Sequence, residues 1–267
     1  MHYWFVPCIS LICLHTHSVM ANDITDSIDV SNNLYSYPVL YPEHHLNVTY
    51  LESLRSQYDE IADNALDVLQ SLAQDEDTSL STAIDNFLNG NILLHDFRLQ
   101  ELHDQIHRVP EWVDWNLVRR GQLVFIAHAP SALLSLLHSS LIGGFSAPKI
   151  VKVLDCTGYL MTNEYSTMKR LKETLEMVVD VLEKDALYPG CSAWKSVLKV
   201  RLLHSRVRKH ILKTEFDVKY YGIPLNEGDM IVTQLAFSSS VLLGIDKIGI
   251  YQSIRILVNN CIRLEVI

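Results

Sequence analysis

The stretch NEYSTMKRLKETLEMVVDVLEK, residues 163–184, is the most strongly amphipathic segment of this sequence. Its apolar residues recur three and four positions apart, which is the spacing of one face of an α-helix. The stretch therefore predicts a helix. Its apolar face is predicted to consist of Tyr165, Met168, Leu171, Leu175, Val178, Val179 and Leu182.

A second stripe of the same predicted helix continues from Arg170 and Thr174 into Met177 and Val181. A cation at the head of an apolar row needs a partner, because an unpaired charge is costly to bury. Glu173 lies about 100° round the helix from Thr174, since each residue advances by that angle. We therefore expect Arg170 to take its acidic partner from elsewhere.

Helical spacing continues on both sides of this segment, and turn residues are scarce. The 267 residues include only 10 Gly and 8 Pro, too few for a many-stranded sheet protein, and the 48% hydrophobic content is enough for one core. We predict an all-α fold with a single helical domain. The predicted helices cover 50–73, 78–94, 95–107, 117–127, 131–142, 146–159, 163–184, 192–213 and 226–243.

Charge is distributed unevenly along the chain, which has a net charge of −9. Residues 1–118 hold three basic and 18 acidic residues, whereas residues 119–267 hold 19 basic and 13 acidic ones. This asymmetry predicts that the two parts contact different partners or each other. We divide the sequence into an apolar signal-like or anchor-like segment (1–22), a polar extended lead-in (23–49), an acidic helical segment (50–118), a helical core (119–250) and an atypical tail (251–267).

Two stretches carry membrane-like signals. Residues 1–22 contain no Asp, Glu, Lys or Arg, and residues 121–148 also lack a formal charge. Pro130 and the Gly143-Gly144 pair divide the second stretch into pieces of about a dozen residues, shorter than a bilayer span. We therefore predict two buried helices there. The first stretch favours an endoplasmic-reticulum membrane-associated or secretory location over a cytoplasmic one, with membrane association an open possibility.

His204 lies on the predicted helix 192–213, with valines and isoleucine at offsets that direct its ring toward the core. Arg201 and Arg208 flank the same stripe, and no acidic residue occurs between 186 and 214. This pattern fits an apolar ring system whose iron binds the imidazole and whose acid groups contact the arginines. Alternatively, His204 is a hydrogen-bonded core residue, and the basic face contacts anionic lipid or the acidic N-terminal part. Nucleic acid is not expected as a partner, because the chain is acidic and this stretch lacks interleaved aromatic residues.

Three sequence blocks together resemble a known family. They are Arg170-Leu-Lys-Glu-Thr174, the nine residues from Val200 to Arg208, and Gly222-Ile-Pro-Leu-Asn-Glu-Gly-Asp-Met230 followed by Thr233, Ala236 and Phe237. In this order and spacing they resemble the endoplasmic-reticulum-bound oxygenase mpaB and the rubber oxygenases called latex-clearing proteins. The resemblance covers about residues 119–250 and is greatest to fungal members.

The resemblance implies an all-α oxidoreductase with a haem pocket between its helices. Haem b would be bound non-covalently, in keeping with five cysteines and no C-x-x-C-H motif. His204 matches the family's iron ligand, and Arg170, Thr174 and Arg208 match other polar positions around the haem. Family members cleave a C=C bond of an apolar isoprenoid chain with O2. We expect Thr174, Arg170 and Glu173 to be catalytic, and His204, Arg208 and Arg201 to bind the cofactor, with His204 as the metal ligand.

Two features depart from the family pattern. Rubber oxygenases carry a lysine where Glu173 stands, so a distal lysine ligand is not expected, and Glu173 would act as a base or remain solvated. The tail 251–267 reads as unrelated sequence where further helices are expected, which predicts a C-terminally truncated chain.

Two alternative functions are kept. His103 and His107 lie four residues apart on a predicted helix beside Glu101 and Asp104, which is compatible with a non-haem metal enzyme. The other alternative is a non-catalytic helical binding protein with an incomplete haem site.

Overall fold

A computed structural model describes residues 48–158 and 163–250, and within these residues all regular structure is helical. The all-α prediction is therefore confirmed. The helices are α1 (Val48–Ser53), α2 (Glu60–Asp75), α3 (Leu80–Leu88), α4 (Phe97–His107), α5 (Trp115–Ala127), α6 (Ala129–Ser135), α7 (Pro148–Thr157), α8 (Glu164–Leu182), α9 (Ser192–Ile211), α10 (Val218–Tyr221), α11 (Glu227–Phe237) and α12 (Ser239–Lys247). A 3₁₀ turn covers Leu54–Ser56, and a π-helical segment covers Leu136–Ile142.

Several predicted boundaries differ from the structure. The predicted helix 50–73 is interrupted before α2, where the Asp59 carboxylate accepts a hydrogen bond from the Ala62 N–H at 3.1 Å and caps the new helix. The predicted helix 226–243 is divided at Ser238 into α11 and α12. The predicted segment 1–22, nearly all of the lead-in 23–49 and the tail 251–267 lie outside the described residues.

The main core surrounds α2, which is contacted by α3, α4 and α9. We call these four helices the α2 bundle. The Trp194 indole of α9 is buried in it and donates a hydrogen bond to the Ile106 carbonyl at 3.2 Å. Each fully buried leucine here stabilises the fold by roughly 2 kcal/mol. The buried residues of this core are Ala62, Ala65, Leu66, Val68, Leu69, Ala73, Ala83, Phe87, Leu88, Leu99, Leu102, Ile106, Trp194, Leu198 and Leu202.

A second group of helices consists of α5, α6, the π-helical segment, α11 and α12, and we call it the apolar bundle. The helices of this group pack on one another around a small buried cluster of Ala132, Val241 and Ile245. Gly244 allows the close approach of α12 to α6, because a Cβ there would lie 1.9 Å from the Ser135 Oγ. The Ser135 hydroxyl donates to the Val241 carbonyl at 2.9 Å and joins the same two helices.

The outward sides of the apolar bundle remain exposed, which contradicts the prediction of two buried helices in 121–148. The residues involved in that stretch include Leu123, Ile126, Leu133, Leu134, Leu137, Ile142 and Phe145. The segments Trp115–Ala127 and Ala129–Ile142 are bent by 89° to one another, and together they meet length and composition criteria for a broken membrane span. The 21-residue stretch Glu227–Lys247 is long and apolar enough to span a membrane as one piece, and only 17% of its most apolar part is buried.

Helix α8 lies where the sequence predicts it, but its predicted apolar face is only partly buried. Tyr165 is 80% exposed, and Met168, Leu175 and Val179 of that face are also exposed. The buried residues are Val178, which belongs to the predicted face, and Val181, which belongs to the second stripe. The inward side of α8, which contacts α5 and α9, therefore takes residues from both stripes.

Candidate functional site

His204 lies in the middle of α9, partly buried, with its Nδ1 atom shielded from solvent. Burial, and secondly the guanidinium groups of Arg170 and Arg208, lower the pKa of His204 to about 4, while the Asp59 carboxylate opposes the shift. The imidazole is therefore neutral at pH 7, which leaves one ring nitrogen with a lone pair.

Helix α8 supplies the other side of this site. Helix α8 packs against α9, and the Arg170 guanidinium on α8 contributes to the lowered pKa of His204. The Thr174 hydroxyl donates to the Arg170 carbonyl at 3.0 Å, so its oxygen can still accept a hydrogen bond. The structure thus places Arg170 and His204, predicted from separate sequence blocks, in one electrostatic environment.

Arg170 finds its acidic partner on its own helix, so the expectation of a partner elsewhere is wrong. Its Nη1 lies 3.4 Å from the Glu173 Oε2, and both side chains are about one-third to one-half exposed. Residues three apart on a helix are neighbours, and the long side chains bridge the angle between them. Glu173 also lies 4.0 Å from the Lys169 Nζ.

Arg201 and Arg208 are buried and paired with aspartates of the acidic segment. The Arg201 Nε and Nη2 donate to the Asp59 carboxylate at 2.7 and 2.9 Å, and Nη2 also donates to the Gln105 Oε1 at 2.6 Å. The Arg208 Nη2 donates to the Asp63 Oδ1 at 2.8 Å. The arginine N–H groups that the sequence pattern predicted to bind the acid groups of a cofactor are therefore bound to these aspartates instead.

Arg208 is the more completely enclosed of the two arginines. Its Nη1 donates to the Leu225 carbonyl at 2.9 Å, and its guanidinium lies 5.2 Å from the centre of the Tyr58 ring. Removal of one partner from such a buried pair costs about 3–5 kcal/mol, because the other charge is left without compensation. The pair therefore fixes α9 against α2.

Two further ion pairs join α9 to the acidic segment. Lys209 lies 2.7 Å from an Asp67 carboxylate oxygen, and Lys199 lies 2.6 Å from that of Asp85. The basic and acidic parts of the chain therefore contact each other, which was one of the alternatives left open by the charge pattern.

The donor chemistry of these residues fits one part of a haem site. A neutral, shielded imidazole is a suitable axial ligand for iron. Arg201 and Arg208 do not fit as partners of the haem acid groups, since Asp59 and Asp63 already bind them. A cavity of about 20 Å³ beside Trp115 and another of about 440 Å³ between α7 and α10 both lack His204 in their linings.

The alternative metal site at His103 and His107 is not supported. Their ring centroids lie 4.1 Å apart with the ring planes tilted by 33°, and the His107 Nδ1 lies 2.8 Å from the His103 carbonyl oxygen. Within 48–158 and 163–250, no group of three or more His, Cys, Asp or Glu residues is arranged to hold a metal ion. The acidic neighbours of these histidines do not complete a ligand set.

Asp59 and Asp63 were not identified as site residues from sequence. A signal was present, because Asp59, Asp63 and Asp67 recur at four-residue spacing while Arg201 and Arg208 are seven apart. Each set lies on one helical face, so the two faces are complementary. The sequence does not show that these particular faces meet.

The chain is thus a helical protein with a neutral, shielded imidazole whose pKa is lowered by burial and by the charges of two arginines. Residues 115–255 match the family described as ER-bound oxygenase mpaB/B'/Rubber oxygenase, catalytic domain. The match covers more than half of the chain, and the chain belongs to this family. The resemblance stated from the three blocks is therefore confirmed. The family is one of oxygenases, a class of oxidoreductases, and its description includes ER-bound members. No curated protein and no solved structure matches the chain.

Proposed function

We propose that this chain is a haem-dependent oxygenase that cleaves a C=C bond of an apolar, isoprenoid or otherwise unsaturated chain with O2. The observation that carries the proposal is the neutral, shielded imidazole of His204 beside Arg170, within the residues that match the oxygenase family. When bound, haem b supplies the redox-active iron that oxygenation with O2 requires.

His204 is the proposed axial ligand. A protonated imidazole has no free lone pair and cannot bind iron, so a pKa of about 4 keeps the residue competent throughout the neutral range. No C-x-x-C-H motif is present, and haem would be held without thioether bonds.

Arg170, Thr174 and Glu173 are the proposed polar groups on the opposite helix. Arg170 offers a cation to an acid group of the haem or to negative charge that develops during the reaction. The Thr174 oxygen can accept a hydrogen bond, because its own proton is directed to the Arg170 carbonyl. Glu173 orients the Arg170 guanidinium through their 3.4 Å contact and is the proposed base.

Arg201 and Arg208 are proposed to act on the cofactor through His204. Both arginines are bound by aspartates of α2, so their effect is to fix the rotation of α9 and hence the direction of the imidazole. Direct binding of the haem acid groups would require these buried ion pairs to open, at a cost of several kcal/mol.

The substrate class is supported by the family match, because the family description names rubber oxygenases and rubber is an isoprenoid chain. Such a chain has no polar groups along its length, and an apolar site binds it by removing apolar area from water. The proposed position of the substrate is the inward side of α8, which carries Arg170 and Thr174.

A non-catalytic helical binding protein is the second candidate. The observation that favours it is that Arg201 and Arg208, the arginines expected to bind the haem acid groups, are already paired with Asp59 and Asp63. This candidate predicts an intact helical fold with no bound haem and no uptake of O2 with an unsaturated substrate.

The proposal is tested by the absorption spectrum of the purified protein with and without added haemin. A Soret band and a pyridine haemochrome of haem b are expected for the wild type, and His204→Ala should abolish both. His210→Ala is the matched control, because His210 lies on the same helix and is exposed. Full haem retention by His204→Ala, with unchanged circular dichroism, would reject His204 as the anchor.

A second variant pair separates the stripes of α8. Arg170→Ala should lower haem occupancy or oxygen uptake several-fold, because the inward stripe loses its cation. Lys172→Ala should leave both unchanged, since this lysine points to solvent and pairs with Glu176 at 3.4 Å. Equal effects of the two substitutions would remove the reason to assign Arg170 to the site.

A further inference from the structure

We propose that α5 forms a third side of the haem site, where Arg120 binds an acid group of the haem and His128 is a second nitrogen ligand of its iron. This inference rests on the proposed function, because it takes haem as the cofactor, and it adds two residues that lie outside the three sequence blocks. Three observations carry it. They are the unpartnered polar atoms of α5, the absence of an acidic partner for Arg120, and the common direction in which α5, α8 and α9 leave a shared cluster.

Helix α5 and the residue that ends it carry two buried polar atoms without a hydrogen-bond partner, the Arg120 Nε and the His128 Nε2. Buried polar atoms in folded proteins are nearly always bonded, because an unmade hydrogen bond leaves the cost of desolvation uncompensated. The neighbouring Arg119 follows this rule, since its Nη1 donates to the Gln122 Oε1 at 3.3 Å. The two atoms therefore indicate a partner that the described residues do not provide.

The Arg120 and His128 side chains leave α5 on one side. They are eight residues apart, so they are separated by about 12 Å along the helix axis and by about 80° around it. A haem presents its iron and its acid groups at different places on one rigid ring, so it can contact a guanidinium and an imidazole that are spaced in this way. A single ligand can therefore satisfy both atoms.

Arg120 also lacks an acidic partner. It forms no ion pair within the part of the chain that the structure describes, and the sequence contains no acidic residue between Asp114 and Asp155. Arg201 and Arg208, by contrast, are bound by aspartates of α2. Arg120 is therefore a cation for which no carboxylate of the described chain competes, and a guanidinium binds a carboxylate through paired hydrogen bonds.

Helix α5 meets α8 and α9 at a small buried cluster that contains Val118, Val181 and Val197, one from each helix. The buried Gln122 side chain fixes α5 at this place, because its Nε2 donates to the carbonyls of Val181 and Glu183 at 2.7 and 2.9 Å. The three helices that carry the proposed haem contacts are therefore held together at one point.

Helix α5 is antiparallel to α8. At its start the Trp115 ring stacks on Tyr188, with ring centroids 4.1 Å apart, and seven residues later Gln122 bonds the Val181 carbonyl. Residue numbers therefore rise along α5 as they fall along α8. The end of α5, where His128 lies, is thus directed toward the N-terminal half of α8, which carries the proposed polar groups of the cofactor site.

Helix α9 is antiparallel to α8 as well. Val181 near the end of α8 lies in the same cluster as Val197 of α9. Arg170 near the start of α8 instead affects the pKa of His204, seven residues farther along α9. His128 therefore lies on the same side of the cluster as Arg170 and His204. An imidazole nitrogen at this place can bind the haem iron together with His204.

The first test is the ferric spectrum of the full-length chain after addition of haemin. Two nitrogen ligands should give low-spin, six-coordinate iron in the wild type, read by the Soret position and by electron paramagnetic resonance. His128→Ala should retain the haem through His204 and convert it to high-spin, and added imidazole should restore the low-spin signal. His138→Ala is the matched control and should remain low-spin, because His138 is exposed and its Nδ1 lies 3.0 Å from the Leu134 carbonyl oxygen.

The second test compares haemin with haemin dimethyl ester, in which both acid groups are blocked. Arg120→Ala should weaken the binding of haemin about tenfold and leave that of the ester unchanged, because the contact is made to the acid group alone. Arg120→Gln keeps a polar side chain without the charge and should behave in the same way. Arg119→Ala is the matched control and should change neither value, since the Arg119 guanidinium is bonded to Gln122.

A high-spin wild type, or a low-spin signal that His128→Ala leaves unchanged, would overturn the assignment of His128. Unchanged haemin binding by both Arg120 variants, or equal weakening for the ester, would overturn that of Arg120. In these outcomes the wild type still binds haem through His204, so the oxygenase proposal stands. A wild type that gives no Soret band with haemin would instead reject the haem-dependent function, and this inference with it.

Discussion

In the α2 bundle, α2 is enclosed by three helices and its aspartates are bound by the arginines and lysine of α9. In the apolar bundle, α12 packs on α6 and the π-helical segment around only a small buried cluster, and apolar side chains remain on the outside. Both regions are built from amphipathic helices. The difference is that the helices of the first are enclosed by other helices, whereas the second leaves many apolar side chains exposed among the described residues.

The α2 bundle crosses the boundary of the family match, because α9 lies inside the match and its three other helices lie outside. Residues 48–114 lie outside the match, yet α2 provides the centre of the main core and the acidic partners of α9. The helix that carries His204 therefore depends for its position on residues that do not belong to the matched catalytic domain. A chain that began at residue 115 would expose Arg201, Arg208 and the apolar side of α9.

The largest effect is expected from breaking the buried ion pair between Arg208 of α9 and Asp63 of α2. Asp63→Ala removes the carboxylate from buried Arg208 and should lower the free energy of unfolding by about 3–5 kcal/mol, because the guanidinium is left unpaired. Asp67→Ala is the matched control on the same face of α2. Its partner Lys209 is more exposed, so a loss below about 1 kcal/mol is expected. Chemical denaturation measures both values, and equal losses would contradict the assignment of the buried pair as the stronger link.

A smaller effect separates the apolar residues of the two bundles. Leu69→Ala should destabilise by about 2–5 kcal/mol, because it opens a cavity in the enclosed core. Leu134→Ala removes the same atoms from an exposed position and should change the stability in water by less than about 0.5 kcal/mol. Thermal or denaturant unfolding without lipid is the measurement. A large loss for Leu134→Ala would show that this side chain is covered by protein, and the contrast between the two bundles would then not hold.

Helical periodicity predicted the fold class and the helix 163–184, because these depend on local spacing. It predicted the buried face of α8 only in part. Two neighbouring stripes were available, and packing against α5 and α9 buries Val178 of the first and Val181 of the second. The inward direction of Arg201 and Arg208 also followed from spacing. Their aspartate partners lie 142 and 145 residues away in sequence, so local patterns could not identify them.

The Glu173 contact was missed for a different reason. The angle of about 100° between Glu173 and Thr174 describes the directions in which their side chains leave the helix backbone. The Arg170 and Glu173 side chains are long and flexible, so their charged ends can meet although they leave the helix three residues apart. The matched blocks predicted the family, and the block that contains His204 lies on α9, within the predicted helix 192–213. They carry no information about Asp59 and Asp63, which lie outside the match.

The smallest effect is a pH dependence of the free energy of unfolding that arises from the titration of His204 on α9. Folding lowers the pKa of this residue from an ordinary value near 6.5 to about 4, so the unfolded chain binds the proton more tightly. Above about pH 6.5 the imidazole is neutral in the folded and the unfolded state, and the free energy of unfolding has its full value. As the pH falls toward 4, the unfolded chain takes up the proton and the free energy of unfolding decreases. The expected loss is up to about 3 kcal/mol over this interval.

Other carboxylates titrate in the same range, so the measurement is a difference between two proteins. Unfolding free energies of haem-free wild type and His204→Gln are compared at several pH values from 7 to 4, which bracket the shift. The wild type should lose more stability than the variant, because only the wild type takes up this proton on unfolding. Parallel pH profiles would mean that the imidazole is accessible to solvent in the folded state, and the contrast between an enclosed His204 and the open apolar bundle would then no longer hold.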